Sequence, residues 1–147
     1  NTSHTRIVDI AGMTSRFVSC GDADSTLNVY FYNRTTKLFE LNQTIQGEGN
    51  CSALDLPLWE NRIAVAQTNG DVYIYEADGN LSFSKKYSLV GAHSKSVKFV
   101  LLADDASVLL TAGSEGTLSL WLEASNFSTP TNKSMDVLVG DWNSYRN

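Results

Sequence analysis

Seven asparagines stand in the pattern Asn-x-Ser/Thr with no proline between: Asn1, Asn33, Asn42, Asn50, Asn80, Asn126 and Asn132. The chemistry of that tripeptide is transfer of an oligosaccharide to the asparagine amide, which marks exposed loops of proteins in the secretory pathway. Chance would place roughly two or three such matches in a chain so rich in Asn, Ser and Thr. Two cysteines, Cys20 and Cys51, are the next reactive pair. They can bond to each other, bond between chains, or remain buried thiols. The two histidines, His4 and His93, are too far from each other and from the cysteines to give the spacing of a zinc set.

Other candidates are weaker. Asp22 and Asp24, in Gly21-Asp22-Ala23-Asp24-Ser25, offer oxygen ligands of the kind calcium takes, but a solvated turn accounts for them as well. Asp104-Asp105 read the same way. No Ser, His and Asp arrangement stands out for nucleophilic catalysis. Gly47-Glu48-Gly49 precedes no helical pattern and so cradles no phosphate. Carboxylate pairs serve glycosidases, but their separation in space is not readable from sequence. The expectation is no catalytic residue, no metal and no cofactor.

The elements that must position these residues repeat. Residues 16–32, 62–76 and 107–122 each run from an apolar stretch through a small polar turn to a second stretch ending on an aromatic ring. The rings are Tyr30, Tyr75 and Trp121, spaced 45 and 46 apart. Each copy divides into four strand-like pieces. They are 6–10, 16–20, 27–32 and 37–45; then 51–56, 62–67, 71–76 and 81–90; then 96–102, 107–112, 117–122 and a weak stretch at 135–139. The turns carry Gly, Asn and Asp, and both prolines, Pro57 and Pro130, avoid the best strands. Continuous apolar runs in the second and third strands predict burial on both faces, and the polar fourth strand predicts an outer edge. A four-stranded sheet at this period is a β-propeller blade; the alternative is a β-sandwich with accidental self-similarity. The predicted blades are 1–45, 46–90 and 91–139, with 140–147 starting a further blade or forming a tail.

The third copy resembles a WD40 repeat. It carries Gly91-Ala92-His93, near the family's Gly-His pair, then Gly113-Ser114-Glu115-Gly116-Thr117 before Leu118-Ser119-Leu120-Trp121. The resemblance implies a hydrogen-bonded set of His93, Thr111, Glu115 and Trp121 that stiffens the blade. Glu115 replaces the usual Asp, Leu122 stands where the family's second letter should be, and the first two copies lack both His and Trp. In a propeller, Cys20 ends the second strand of one blade and Cys51 starts the inner strand of the next, so a staple between blades is geometrically open to them.

With 147 residues, 42% hydrophobic, the chain is long enough for an ordinary core. Eleven scattered basic residues against a net charge of −5 leave no basic stripe for nucleic acid or anionic membrane. The longest apolar run, 99–103, is far short of the roughly 20 residues of a membrane span. The chain opens on Asn1 without Met, so a processed chain or a fragment is expected. Three blades do not close a ring of about four to eight, so self-association or further blades are expected, with protein partners. The leading expectation is a non-enzymatic interaction or assembly module, glycosylated and secretory or extracellular. The alternatives are a piece of a cytoplasmic WD40 scaffold and, further off, a propeller hydrolase or lectin using exposed rings such as Tyr30 or Trp59.

Overall fold

The computed structural model describes residues 7–11, 15–21, 23–58, 61–80, 82–105, 107–128 and 131–134, the first and last of these by backbone. They form three antiparallel four-stranded meanders. The first holds β1 (Ile7–Ala11), β2 (Arg16–Gly21), β3 (Thr26–Asn33) and β4 (Leu38–Gln46). The second holds β5 (Cys51–Asp55), β6 (Arg62–Gln67), β7 (Val72–Ala77) and β8 (Phe83–Leu89). The third holds β9 (Val97–Leu102), β10 (Val108–Gly113), β11 (Thr117–Leu122) and β12 (Thr131–Ser134), with a 3₁₀ turn at Glu123–Ser125. Inner strand β1 packs beside β5, and β5 beside β9. The sheets therefore radiate as β-propeller blades.

Alternation of side chains gives each blade two faces. The cross-strand pairs Val18↔Val29, Ala64↔Ile74 and Leu110↔Leu120 occupy equivalent places and point forward, toward the next blade. The pairs Phe17↔Tyr30, Ile63↔Tyr75 and Leu109↔Trp121 point to the rear. Between blades one and two, Val18, Leu27 and Val29 pack with Ile63, Val65, Tyr73 and Tyr75. Between blades two and three, Ala64, Ala66, Val72 and Ile74 pack with Leu109, Trp121 and Phe127. Small Ala64 and Ala66 share that cluster with the large rings Trp121 and Phe127.

Polar clamps fix each seam. Gln43 of β4 reaches the backbone of β8: its Oε1 accepts from Phe83 N at 2.8 Å and its Nε2 donates to Phe83 O at 2.9 Å. Asp55 Oδ2 accepts from Leu102 N at 2.7 Å. Arg62 Nη2 lies 2.6 Å from both Glu76 Oε2 and Glu123 Oε1, joining blade two to the 3₁₀ turn between the third and fourth strands of blade three. Burial disfavours the Arg62 charge, but the bonds to Glu123 and Glu76 outweigh it and raise the guanidinium further.

Three features differ from the sequence reading. The outer strand of blade three is the polar stretch Thr131–Ser134; residues 135–139 lie outside the described residues. Strand ends elsewhere shift by one or two residues, because hydrogen-bond registry rather than side-chain type sets them. Burial on both faces holds for β6 and β7, but β10 and β11 alternate between covered and open positions. Among the described residues blade three is covered on its rear alone, and its forward leucines Leu101, Leu120 and Leu122 are exposed. Among the described residues no helix is long and apolar enough to cross a membrane.

Candidate functional site

The loop after β8 carries His93 into the second seam, where it is 4% exposed. Gly70, at the tip of the β6–β7 turn with φ +98°, lets that loop approach, and His93 N donates to Gly70 O at 3.0 Å. An added Cβ on Gly70 would sit 2.1 Å from His93 O, so no other residue fits this turn unshifted. His93 Nδ1 bonds Glu115 Oε1 in the β10–β11 turn. His93 Nε2 lies 2.7 Å from Thr111 Oγ1, and Trp121 Nε1 donates to that same oxygen at 2.9 Å. An indole N–H only donates. The arrangement that gives the indole N–H, the hydroxyl and both ring nitrogens a partner runs from Trp121 N–H to Thr111, from the Thr111 hydroxyl to His93 Nε2, and from Nδ1–H to Glu115. Burial alone raises the Glu115 carboxyl; the His93 bond and nearby backbone N–H groups outweigh it and hold it below its usual value. Of these four, His93, Thr111 and Trp121 are buried and Glu115 is half-buried. They lock a turn and two strands.

Cys20 and Cys51 form a disulfide across the first seam, with Cα atoms 6.0 Å apart. Both are buried. Asn42, Asn50, Asn80 and Asn126 are exposed, and Asn33 is half-buried. Asn33 shapes the β3–β4 turn: its Oδ1 accepts from Thr35 N at 2.9 Å, and its Nδ2 donates to Glu40 Oε1 at 2.9 Å. That nitrogen keeps a second hydrogen. For Asn132 the structure gives the backbone position in β12. Asn1, His4, Asp22, Trp59 and residues 140–147 lie outside the described residues. Asp24 caps its own turn, accepting from Thr26 N and Thr26 Oγ1 at 3.0 and 2.9 Å. Asp105 does the same with Ser107. Among the described residues no three His, Cys, Asp or Glu side chains come together as a metal set.

A cleft of about 270 Å³ opens at the outer rim of the first seam, lined by Ser15, Arg16, Phe31, Tyr32, Asn42 and Asn80. Two sequon asparagines from neighbouring blades thus share one rim, and among the described residues no carboxylate lines it.

Among the described residues two sheet faces remain open, as expected of three blades that do not close a ring. On the rear of blade one, Phe17 stacks on Tyr30 at 4.5 Å between ring centroids and meets Phe39 edge-on at 5.0 Å; Tyr32 leans on Phe39 at 5.4 Å. On the front of blade three, Phe99, Leu101, Leu120 and Leu122 are 46, 47, 36 and 46% exposed. They lie in adjacent rows, since Leu110 pairs with both Leu101 and Leu120. Leu118, Leu120 and Leu122 recur at every second position of 117–122, but Trp121 between the last two makes the run read as continuously apolar. A central-strand reading masked that recurrence.

No protein-family model and no curated protein matches the chain. Among solved structures 756 chains match, so the fold is too widely shared to name an activity. One is Sqt1 from Chaetomium thermophilum, a WD40 propeller protein. The match has a TM-score of 0.65 at 18% identity and covers 84% of this chain and 33% of that one. The chain thus spans about a third of that structure's length. At this identity the likeness establishes the fold: WD40-like β-propeller sheets, arranged as blades.

Proposed function

We propose that this chain is a non-enzymatic protein-interaction and assembly module, made in the secretory pathway and carrying N-linked glycans on its rim. The observation that carries the reading is the pair of open apolar faces, aromatic on blade one and leucine-rich on blade three, at the two ends of a clamped stack. Contiguous exposed apolar surface on a rigid scaffold marks a contact site. The structural likeness to Sqt1 supports a scaffold role. The Cys20–Cys51 bond and the exposure of Asn42, Asn50, Asn80 and Asn126 support an oxidising, glycosylating compartment.

Native mass measurement of the protein from its producing cells, before and after N-glycan removal, tests both halves. The expected result is a mass above that of one bare chain by bound polypeptide, and a further loss on deglycosylation. A bare, unassociated chain would overturn the whole reading. A partner-bound chain without sugar would leave the assembly role and assign it to an intracellular scaffold.

A further inference from the structure

We infer that the first sugar of an N-linked glycan on Asn42 seats in the rim cleft of the first seam, against the Phe31 ring, and so ties blade one to blade two at their outer margin. This rests on the glycoprotein reading above and gives one of its sugars a structural task. Strand β4 supplies the attachment. Val29 pairs with Gln43 and Tyr30 with Leu41, so Asn42 is the extra residue of a bulge. A bulge re-aims a side chain that strict alternation would place elsewhere. Asn42 is exposed and lines the cleft. The next residue, Gln43, makes the clamp to Phe83, so a sugar on Asn42 starts at the edge of the seam.

The cleft suits that occupant. Arg16 and Phe31 are a cross-strand pair two residues beyond Val18↔Val29, hence on the forward face. Arg16 Cζ lies 5.8 Å from the centroid of the Phe83 ring of blade two, and Phe31 is 37% exposed. The electron-rich face of an aromatic ring takes the slightly positive C–H groups of a pyranose. The Arg16 guanidinium and the Ser15 hydroxyl are donors for its oxygens. At about 270 Å³ the cleft falls below the roughly 300–1,000 Å³ of pockets for drug-sized ligands, which leaves room for one ring and not for a branched chain. Asn80, in the β7–β8 turn, is the blade-two member of the lining, and its backbone N–H donates to Asp78 Oδ1 at 2.8 Å. A sugar linked to Asn42 is already held at the cleft, so a stack too weak to capture a free sugar suffices.

The protein secreted by a glycosylating cell line tests this. Glycopeptide mass reports whether Asn42 carries sugar, and thermal melts report whether the sugar packs. Enzymatic trimming to the single asparagine-linked sugar should leave Tm unchanged. Asn42→Gln should lower it by about 3 °C, and Asn80→Gln should not. The wild type and Asn42→Gln made with glycan transfer inhibited should melt alike, which assigns the shift to the sugar. In a Phe31→Ala background that keeps the Asn42 glycan, Asn42→Gln should have no further effect, the non-additivity of two groups in contact. Where Phe31→Ala does not fold, Phe31→Leu keeps bulk, lacks the ring face and serves instead.

A sugar on Asn42 whose loss leaves Tm unchanged overturns the inference, since that glycan then stands free in solvent. So does a Phe31 effect that couples to Asn80→Gln instead, which would give the cleft to the neighbouring sugar. A bare Asn42 beside other occupied asparagines sinks the inference and leaves the glycoprotein reading standing. Secreted protein without sugar at any position sinks both.

Discussion

Thr111 takes one hydrogen bond from Trp121 and satisfies His93 Nε2 with its hydroxyl. Thr111→Val keeps the shape and leaves a buried indole N–H and a ring nitrogen without partners. That should cost about 2–4 kcal/mol, read as a lower urea midpoint. Glu115 gives the same set a pH dependence. Its carboxyl lies lower in the folded chain than in the unfolded one. Its contribution is therefore complete above the usual carboxylate value and is lost as pH falls through the lower folded value. Glu115→Gln should flatten the fall in stability below about pH 4.5, in thermal melts taken across the acid range. Gly113 guards that geometry: a Cβ there would lie 2.2 Å from Glu115 Oε2, so Gly113→Ala should displace the carboxylate and reproduce part of the Glu115→Gln profile.

At the scale of elements, the seams depend on residues that reach from one sheet to the next. Gln43→Ala leaves Phe83 N–H without its partner in a half-buried site and should cost about 1–3 kcal/mol, measured by chemical denaturation. Cys20 and Cys51 close a loop of 31 residues. Replacing both by serine should lower stability by about 3–4 kcal/mol in the chain-entropy account, or roughly 10 °C in Tm for a chain of this size. The strands were legible because ring-ending apolar runs recur at a fixed period: Tyr30, Tyr75 and Trp121 stand at equivalent places. The four members of the His93 set were nameable only through the resemblance of the third copy to a WD40 repeat, and the structure brings those four together. β12 was not legible, since Thr131-Asn132-Lys133-Ser134 has neither alternation nor apolar content and is held by backbone pairing with β11. The Gln43–Phe83, Asp55–Leu102 and Arg62–Glu123 links were not legible either. Each joins residues about 40 or more apart, and nothing local in the sequence marks a side chain that will meet a distant backbone or charge.

Taken as a whole molecule, the stack carries exposed Asn-x-Ser/Thr asparagines along its rim and apolar faces at its two ends. Glycan mapping of secreted material should find occupancy at the exposed Asn42, Asn80 and Asn126, with Asn42→Gln and Asn80→Gln each removing one glycan's mass. Bulky sugars on the rim would leave the end faces open to contact. The two internal seams are not equivalent: a covalent bond crosses the first, and the second relies on packing and charge. Under tension or partial heating, the first two sheets must stay tethered while the third can peel away, with the stretch near residues 90–96 as its hinge. Amide protons of β9–β11 should then exchange ahead of those in β2, β3, β6 and β7. Opening of that kind bares the Trp121 side of the third sheet while its leucine side is already exposed, so a leaf hinged in this way would present both of its surfaces at once.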